Sequence, residues 1–202
     1  MNAAPVRQRK SGGETAAATA SLGASIRAAR HVAGSTLREA ALASRLSISY
    51  LSQIERDLLT PSVDALRRIA DAVDIPAGAL AFAAGARRGR AAVAIVRHDA
   101  RKRVTFEDTH IEYQLLTPDA QGRVSVLSLT VPPGTEGGGA FSHPGEDIVV
   151  VQSGALTVDV GGIWHEIGAG DSIRFSSEIP HRWRNSGTKP AAALWISSPP
   201  WL

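Results

Sequence analysis

The residue pattern of this chain changes near residue 105, and this change limits the fold more than any other feature. Before it, apolar residues recur at the three- and four-residue spacing of amphipathic helices. After it, short runs rich in β-branched residues alternate with glycine and proline, as in antiparallel strands joined by turns. The 202 residues therefore predict two small domains, the first all-α and the second all-β.

Five short helices are predicted between residues 21 and 83. The third runs from Tyr50 to Arg56, and Leu51, Ile54 and the following Leu58 are expected to face inward. Helices this short are marginal on their own, so one shared core must hold all five together. The polar side of the third helix is then left facing out.

Eight strands are predicted in the second half, and no helical pattern separates them. Gly161-Gly162 is a plausible two-residue hairpin turn. Many short strands with short connections indicate an antiparallel sandwich or barrel. The predicted strands span residues 111–116, 124–131, 147–152, 155–160, 163–167, 172–175, 181–185 and 192–197.

Two further segments complete the predicted organisation. Residues 1–20 lack apolar periodicity and are predicted to form a disordered basic tail. Residues 84–104 are predicted to form a basic linker, in which Val93–Val96 is a candidate strand. The helical domain is thus assigned to residues 21–83 and the β domain to 105–202.

Charge is divided unevenly along the chain. Residues 1–104 carry 17 basic and 8 acidic side chains, whereas residues 105–202 carry 5 basic and 11 acidic ones. The asymmetry indicates a polyanionic partner for the first half only, and the alternative is ordinary solvated surface charge. The tail residues Arg7, Arg9 and Lys10 either follow a DNA minor groove or remain solvated.

Several classes of protein are excluded or disfavoured by composition. The chain has no cysteine, so it has no disulfides, no thiolate chemistry and no cysteine-based zinc site. Its longest run of large apolar residues, Ile148–Val151, is far shorter than the ~20 residues of a membrane-spanning helix. The N-terminus has no apolar segment of the secretory kind. We therefore expect a cytoplasmic protein without a membrane partner.

Short motifs follow one another in a fixed order through the helical region. In this order they resemble the XRE (xenobiotic-response-element) family of helix-turn-helix regulators, whose fold is lambda-repressor-like. The motifs are Leu22-Gly23, Ile26-Arg27, Arg30, Thr36-Leu37-Arg38-Glu39-Ala40-Ala41, the run Leu46–Arg56, Thr60-Pro61-Ser62, Leu66 and Ile69-Ala70.

The resemblance implies that the third helix enters the major groove of a double-stranded DNA operator and that the protein acts as a homodimer. It also implies a partly buried ion pair between Arg30 and Glu55, for which the alternative is ordinary surface charge. A helical bundle used for protein contacts is the alternative for the whole region. The implied DNA contacts are Ser49, Tyr50, Ser52, Gln53, Arg56, Thr60 and Ser62.

A second set of motifs occurs in the β region. They resemble the cupin superfamily, which implies a double-stranded β-helix, or jelly-roll, barrel that can enclose one small-molecule effector. The motifs are Pro133-Gly134, the run Phe141–Asp147, Gly154, Gly170-Asp171, Pro180-His181 and Asn185.

Cupins commonly bind a metal through three histidines and a glutamate. Here Phe141 stands at the first histidine position and Asp147 at the glutamate position, which leaves His143, Asp147 and His181 as the implied ligands. Two imidazoles and a carboxylate suit a divalent ion such as Fe, Zn, Ni or Mn. Alternatively, the histidines line a polar pocket without metal. The candidate effector-pocket residues are Tyr113, His143, Arg174, His181, Trp183 and Trp195.

Together the two resemblances imply a ligand-responsive transcription regulator that is not an enzyme. The alternative is a mononuclear iron oxygenase resembling 2-hydroxypropylphosphonate epoxidase, which has the same domain order and a two-histidine, one-carboxylate site. The polar outer face of the third helix favours the regulator, because an enzyme has no need of a DNA-reading surface.

Overall fold

The computed structural model of the protein describes residues 21–83, 93–106, 108–120 and 122–201. The predicted tail and the first part of the predicted linker, residues 84–92, lie outside the described residues. Within the described part, five α-helices precede ten strands. None of these helices combines the length and apolarity needed to cross a lipid bilayer.

The helices start where side chains can cap them. Ser21, Thr36, Ser47 and Ser62 each accept a hydrogen bond from a backbone N–H of the first turn, which satisfies a donor that the helix itself leaves free. The helices are α1 (Leu22–Val32), α2 (Leu37–Ala43), α3 (Ile48–Glu55), α4 (Val63–Ala72) and α5 (Ala77–Ala81).

One apolar core lies between the helices, with Ile26, Leu51, Ile54 and Leu66 fully buried. The prediction that Leu58 faces inward is wrong, since 61% of its surface is exposed. Helix α3 ends at Glu55, and Asp57 turns the chain with a φ of 57°. The helical spacing used for Leu58 therefore no longer applies at that position.

A buried ion pair joins α1 to α3. Arg30 donates from Nε to Glu55 Oε1 at 2.6 Å and from Nη2 to Oε2 at 2.8 Å, and it also donates to the carbonyl of Ser35. The hydrogen bond that Arg30 donates to Glu55 raises the pKa of Arg30. The pair expected from the sequence is thus present, in the side-on geometry that fixes both partners.

A close backbone contact also holds the C-terminal end of α3 against α1. The N–H of Gly23 donates to Asp57 Oδ1 at 2.8 Å, directly after α3. A Cβ at Gly23 would lie 2.2 Å from the carbonyl oxygen of Ile54, so no larger residue fits between the two helices. The C-terminal end of α3 is therefore fixed to both ends of α1.

The strands form two facing antiparallel sheets. The six-stranded sheet has the order β1-β2-β3-β10-β5-β8, and the four-stranded sheet has the order β4-β9-β6-β7. The strands are β1 (Lys102–Thr105), β2 (Glu112–Leu115), β3 (Ser125–Val131), β4 (Thr135–Glu136), β5 (Glu146–Ser153), β6 (Ala155–Val160), β7 (Ile163–Gly168), β8 (Ser172–Ser176), β9 (His181–Asn185) and β10 (Ala191–Ser198).

Alternation along the strands places one set of side chains inside the barrel. On β5, Asp147, Val149 and Val151 are buried, and on β9, His181 and Trp183 are buried. Polar groups thus enter the barrel at two facing strands, where they lie among apolar neighbours. This interior holds the candidate site.

The start of the β domain differs from the prediction. The predicted strand at Val93–Val96 is absent, and Val93 and Ile95 are exposed. The first strand, β1, instead covers residues 102–105 and pairs with β2 at the sheet edge. Edge strands often carry charged side chains. Lys102 and Arg103 interrupt the apolar alternation from which strands are predicted, so β1 was not recognised in the sequence.

We expect Arg30→Ala to destabilise the helical domain by about 3–5 kcal/mol, because the Glu55 carboxylate would be left buried without its partner. The matched control is Arg27→Ala on the exposed side of the same helix, with an expected change within about 0.5 kcal/mol. Urea unfolding followed by far-UV circular dichroism measures the helices. All four tryptophans lie beyond residue 160, so their fluorescence reports on the barrel separately. Equal effects of the two variants would contradict the assignment.

Candidate functional site

The outer face of α3 carries most of the residues predicted to contact DNA. Ser49, Ser52, Gln53 and Arg56 follow the i, i+3, i+4, i+7 spacing of one helix face. Ser49 and Arg56 are exposed, and Ser52 and Gln53 are half-buried. The Arg56 side chain folds back to donate from Nε to the carbonyl of Ser52 at 3.2 Å.

The remaining predicted DNA contacts differ in their surroundings. Tyr50 is half-buried and packs against the apolar core, which corrects the expectation that it faces out. Thr60 and Ser62 lie half-exposed before α4, and the Ser62 hydroxyl accepts the N–H of Ala65 as the helix cap. Ser62 therefore reaches a phosphate only while it also caps α4.

Inside the barrel, the structure brings the three predicted metal ligands together. Asp147 Oδ2 lies 3.3 Å from His143 Nε2 and 3.5 Å from His181 Nε2. Their candidate ligand atoms all lie within 4.8 Å of one another, and all three residues are buried. Strands β5 and β9 supply Asp147 and His181, and the loop before β5 supplies His143.

Hydrogen bonds to backbone carbonyls orient both imidazoles. His143 Nδ1 lies 3.2 Å from the carbonyl of Pro144, and His181 Nδ1 lies 2.9 Å from that of Ile179. A carbonyl only accepts, so each Nδ1 carries a proton, and in a neutral imidazole with this tautomer Nε2 presents a lone pair. Burial is the main cause that lowers the pKa of His181, which favours this neutral form.

The atoms that converge at this centre are all acceptors. Within the described residues, His143 Nε2, His181 Nε2 and both Asp147 oxygens are buried and accept no hydrogen bond. Converging lone pairs and an unpaired buried carboxylate are unfavourable unless a cation lies between them. The donor set therefore fits a divalent metal, with Nδ1–carbonyl bonds of the kind that orient metal-binding histidines.

Aromatic rings surround this centre on one side. Phe141, at the position of the missing histidine, stacks on Trp201 with ring centroids 4.5 Å apart and lies 4.3 Å from the His181 ring. Trp201 also stacks on His143, at 4.6 Å and 7°. Phe141 thus replaces a ligand with an apolar surface.

A small cavity of about 20 Å³ lies beside the centre. Of the predicted pocket residues, Tyr113, Trp183 and Trp195 line it, and His143 and His181 lie next to it in contact with Phe141. The remaining lining residues are Arg67, Leu127, Leu129, Phe141, Ser197 and Trp201.

Arg174 does not belong to the pocket, and this prediction is wrong. It lies exposed on β8 and forms an ion pair with Glu146 on the outer face of the barrel. Phe175, the next residue, points inward, so strand alternation directs Arg174 out. Glu146, the residue before Asp147 on β5, is directed away from the metal-ligand centre in the same way.

Sequence reasoning missed two residues, Arg67 and Trp201, that connect the helical domain to the barrel. Arg67 of α4 is 8% exposed, and its Cζ lies 3.4 Å from the centroid of the Phe141 ring and 4.9 Å from that of Trp201. The sequence did contain a signal for Arg67, because this residue lies four residues after Val63 on the apolar stripe of α4. No sequence pattern pointed to Trp201.

Comparison with known proteins divides the chain in the same way. The profile of a helix-turn-helix domain family matches residues 21–83, and the profile of a cupin domain family matches residues 127–197. The chain therefore contains a helix-turn-helix domain followed by a cupin domain.

Individual relatives match one or both parts. An uncharacterised protein of Archaeoglobus fulgidus is 41% identical over 63 residues, which are 31% of this chain and 59% of that protein. The HTH-type transcriptional regulator PuuR of Escherichia coli is 25% identical over 158 residues, which are 78% of this chain and 83% of PuuR. The chain thus spans less than two thirds of the first relative and more of the second.

Solved structures give the same fold. An HTH_3 family transcriptional regulator from Vibrio cholerae superposes with a TM-score of 0.64 at 21% identity, covering 88% of this chain and 94% of that one. Hydroxypropylphosphonic acid epoxidase from S. wedmorenis aligns over 91% of this chain and all of its own, with a TM-score of 0.45 and 18% identity. That second likeness is too weak to bear on function.

We expect Gly137→Ala to distort the cavity wall, because a Cβ at this position would lie 2.3 Å from Cε2 of Trp183. The displaced indole should shift the tryptophan emission to longer wavelength and lower barrel stability by about 1–3 kcal/mol. The control is Gly139→Ala, whose Cβ would have no neighbour closer than 3.6 Å. Indistinguishable spectra for the two variants would mean that Trp183 is placed wrongly.

Proposed function

We propose that this chain, a helix-turn-helix domain followed by a cupin domain, is a transcription regulator that binds double-stranded operator DNA through α3 and a small-molecule effector in its barrel. PuuR, which is similar to it over both domains, is a regulator of this type by name. Such a protein acts where the chromosome lies, so we place it in the cytoplasm.

The single observation that carries the proposal is the presentation of α3. Its polar face, with Ser49, Ser52, Gln53 and Arg56, is free of the core, while Glu55 and Ile54 on the other side fix the helix to α1. An α-helix with such a face fits the major groove, where a glutamine side chain pairs with adenine. Arg56, Thr60 and Ser62 lie where phosphates would run along the groove.

We further infer that two copies bind as a homodimer to two half-sites one helical turn apart. One helical domain alone covers few base pairs, and its formal charge of +1 over residues 21–83 gives little general attraction to DNA. Two copies on a symmetric operator double the contacts and fix the spacing.

We also propose that His143, Asp147 and His181 hold a divalent metal, with Fe, Zn, Ni or Mn as candidates. Such an ion supplies a positive centre with open coordination positions. The support is the converging set of buried acceptors, for which the described residues provide no donor.

The enzyme hypothesis uses the same residues in another way. A two-histidine, one-carboxylate set also occurs in non-haem iron oxygenases. The polar face of α3 has no role in that chemistry, which is why we favour the regulator. Stoichiometric iron together with a lack of sequence-specific DNA binding would favour the enzyme.

Binding to DNA from upstream of its own gene tests the main proposal. We expect a complex whose affinity falls steeply as salt rises, because lysine and arginine release counterions from phosphates. Gln53→Ala should reduce the preference for operator over unrelated DNA by about 5- to 150-fold, the effect of losing one bidentate base contact. Fluorescence anisotropy with labelled duplexes measures both quantities.

The control for Gln53→Ala is Gln152→Ala, which removes an exposed glutamine from the barrel and should leave both affinities unchanged. An unaltered operator preference in Gln53→Ala would show that α3 does not read bases. Absence of any salt-sensitive binding would overturn the regulator itself.

Metal content tests the barrel centre. We expect about one divalent ion per chain by plasma mass spectrometry, and near-complete loss in Asp147→Ala. The metal-free variant should unfold at no lower temperature than metal-free wild type, since it removes an unpaired buried charge. The exposed His165 provides the control His165→Ala, which should bind metal normally. Equal metal content in Asp147→Ala and wild type would rule out this centre.

A further inference from the structure

The position of Arg67 identifies the kind of molecule that the barrel binds. Its guanidinium lies in the wall of the cavity, although Arg67 belongs to α4 of the helical domain and the other lining residues belong to the barrel. The cavity is therefore closed on one side by the DNA-binding domain.

Arg67 is a buried cation with little compensation. Its side chain is 10% exposed, and its ion-pair partner among the described residues, Asp64, is 53% exposed and 3.3 Å from Nη1. Burial lowers the pKa of Arg67 to about 10, so it remains charged at neutral pH. Among the described residues, no acceptor meets its Nε, although that atom is fully buried.

The remaining edge of the Arg67 guanidinium is suited to one class of ligand group. Nη1 is engaged with Asp64, which leaves Nε and Nη2 on the side-on edge. Arg30 of the same chain uses that edge to bind the carboxylate of Glu55 through two parallel hydrogen bonds. A planar carboxylate is therefore the group that this edge accepts best.

The rest of the cavity is mostly apolar or aromatic. Leu127, Leu129, Trp183 and Trp195 form its wall, and Tyr113 adds one hydroxyl. Burial raises the pKa of Tyr113, so this hydroxyl keeps its proton and can donate to an anion. The lining and the small volume suit a compact molecule with one acidic end and a short hydrocarbon body.

We propose that the effector is a small organic carboxylate, of the size of acetate or propionate, whose acidic group binds the Nε–Nη2 edge of Arg67 and whose short apolar body lies against Trp183 and Trp195. The regulatory role of this ligand rests on the proposed function, whereas the binding site itself does not depend on that function. The ligand contacts both domains at once, because Arg67 extends from α4 and the tryptophans from β9 and β10.

The same geometry explains how the signal reaches DNA. Arg67 lies over the rings of Phe141 and Trp201, and the N–H of Gly139 donates to Asp64 at 3.5 Å on the same face of α4. A carboxylate that draws the guanidinium away from Phe141 moves α4. Ser62 caps this helix at the end that we place near phosphates, so its position changes with it.

Titration with simple acids tests the site. Acetate and propionate are added to the full chain, and tryptophan emission is recorded, since Trp183, Trp195 and Trp201 line the cavity. We expect saturable quenching by both acids and much weaker binding of propionamide and propylamine, which share the hydrocarbon body but lack the negative charge. Equal binding of acid, amide and amine would overturn the proposal, as would the lack of a saturable response to either acid.

Three variants assign the binding to Arg67. Arg67→Met, which keeps the volume but not the charge, should weaken acid binding about tenfold or more. Arg67→Lys, which keeps the charge without the fork, should lie between Met and wild type. Arg68→Met, on the exposed side of the same helix, should bind like wild type. Metal content is measured on the same samples and is expected to be equal. Unchanged acid affinity in Arg67→Met contradicts the proposal.

Operator affinity is measured on the same wild-type protein with and without propionate. A change of about fivefold or more that is absent in Arg67→Met supports the coupling. If the wild-type protein binds operator DNA but no acid, the carboxylate site is overturned and the regulator function is still supported. If it binds acid through Arg67 but no DNA, the carboxylate site is supported and the regulator function is overturned.

Discussion

The contact between the Arg67 guanidinium and the aromatic mouth of the barrel is the interaction on which the connection between the two domains depends. It places a charged side chain from the helical domain inside the β domain, 3.4 Å from the centre of the Phe141 ring. Around it, Gly78 donates its N–H to the carbonyl of Trp201 and Lys102 donates to that of Phe82. These contacts make the helical domain one wall of the ligand cavity rather than a separate body on a linker.

The second constraint is the fixed orientation of α3. Glu55 faces Arg30 from the last turn of the helix, and the Gly23 backbone lies against its end. A short helix of eight residues has little stability of its own, so this attachment is what allows its polar face to remain rigid and exposed. In our account, the carboxylate site acts on α4 while the Arg30–Glu55 pair preserves the reading surface.

Much of this architecture followed from the sequence, because local patterns determine it. Capping serines and apolar spacing predict the five helices, and alternation predicts eight of the ten described strands. Strand β1 was missed because its edge position favours charged residues, and β4 because it has only two residues. The motif spacing also selected His143, Asp147 and His181, which the structure brings together in the barrel.

The predictions were wrong or missing at residues whose surroundings are determined by tertiary contacts. Arg174 was assigned to the pocket by its residue type, but one position of alternation separates inside from outside. Arg67 was not considered because its partners lie more than seventy residues further along the chain. Only the folded arrangement shows that a residue of the helical stripe lines the barrel cavity.

The central claim, that α3 lies against bases while the barrel stays clear of them, can be tested by site-specific photocrosslinking. A benzoylphenylalanine is placed at position 49 on α3 or at position 163, an exposed site on β7. Each protein is then irradiated with labelled DNA from upstream of its own gene. Our account predicts a crosslink to DNA from position 49 and none from position 163. A crosslink from position 163 with none from position 49 would contradict it.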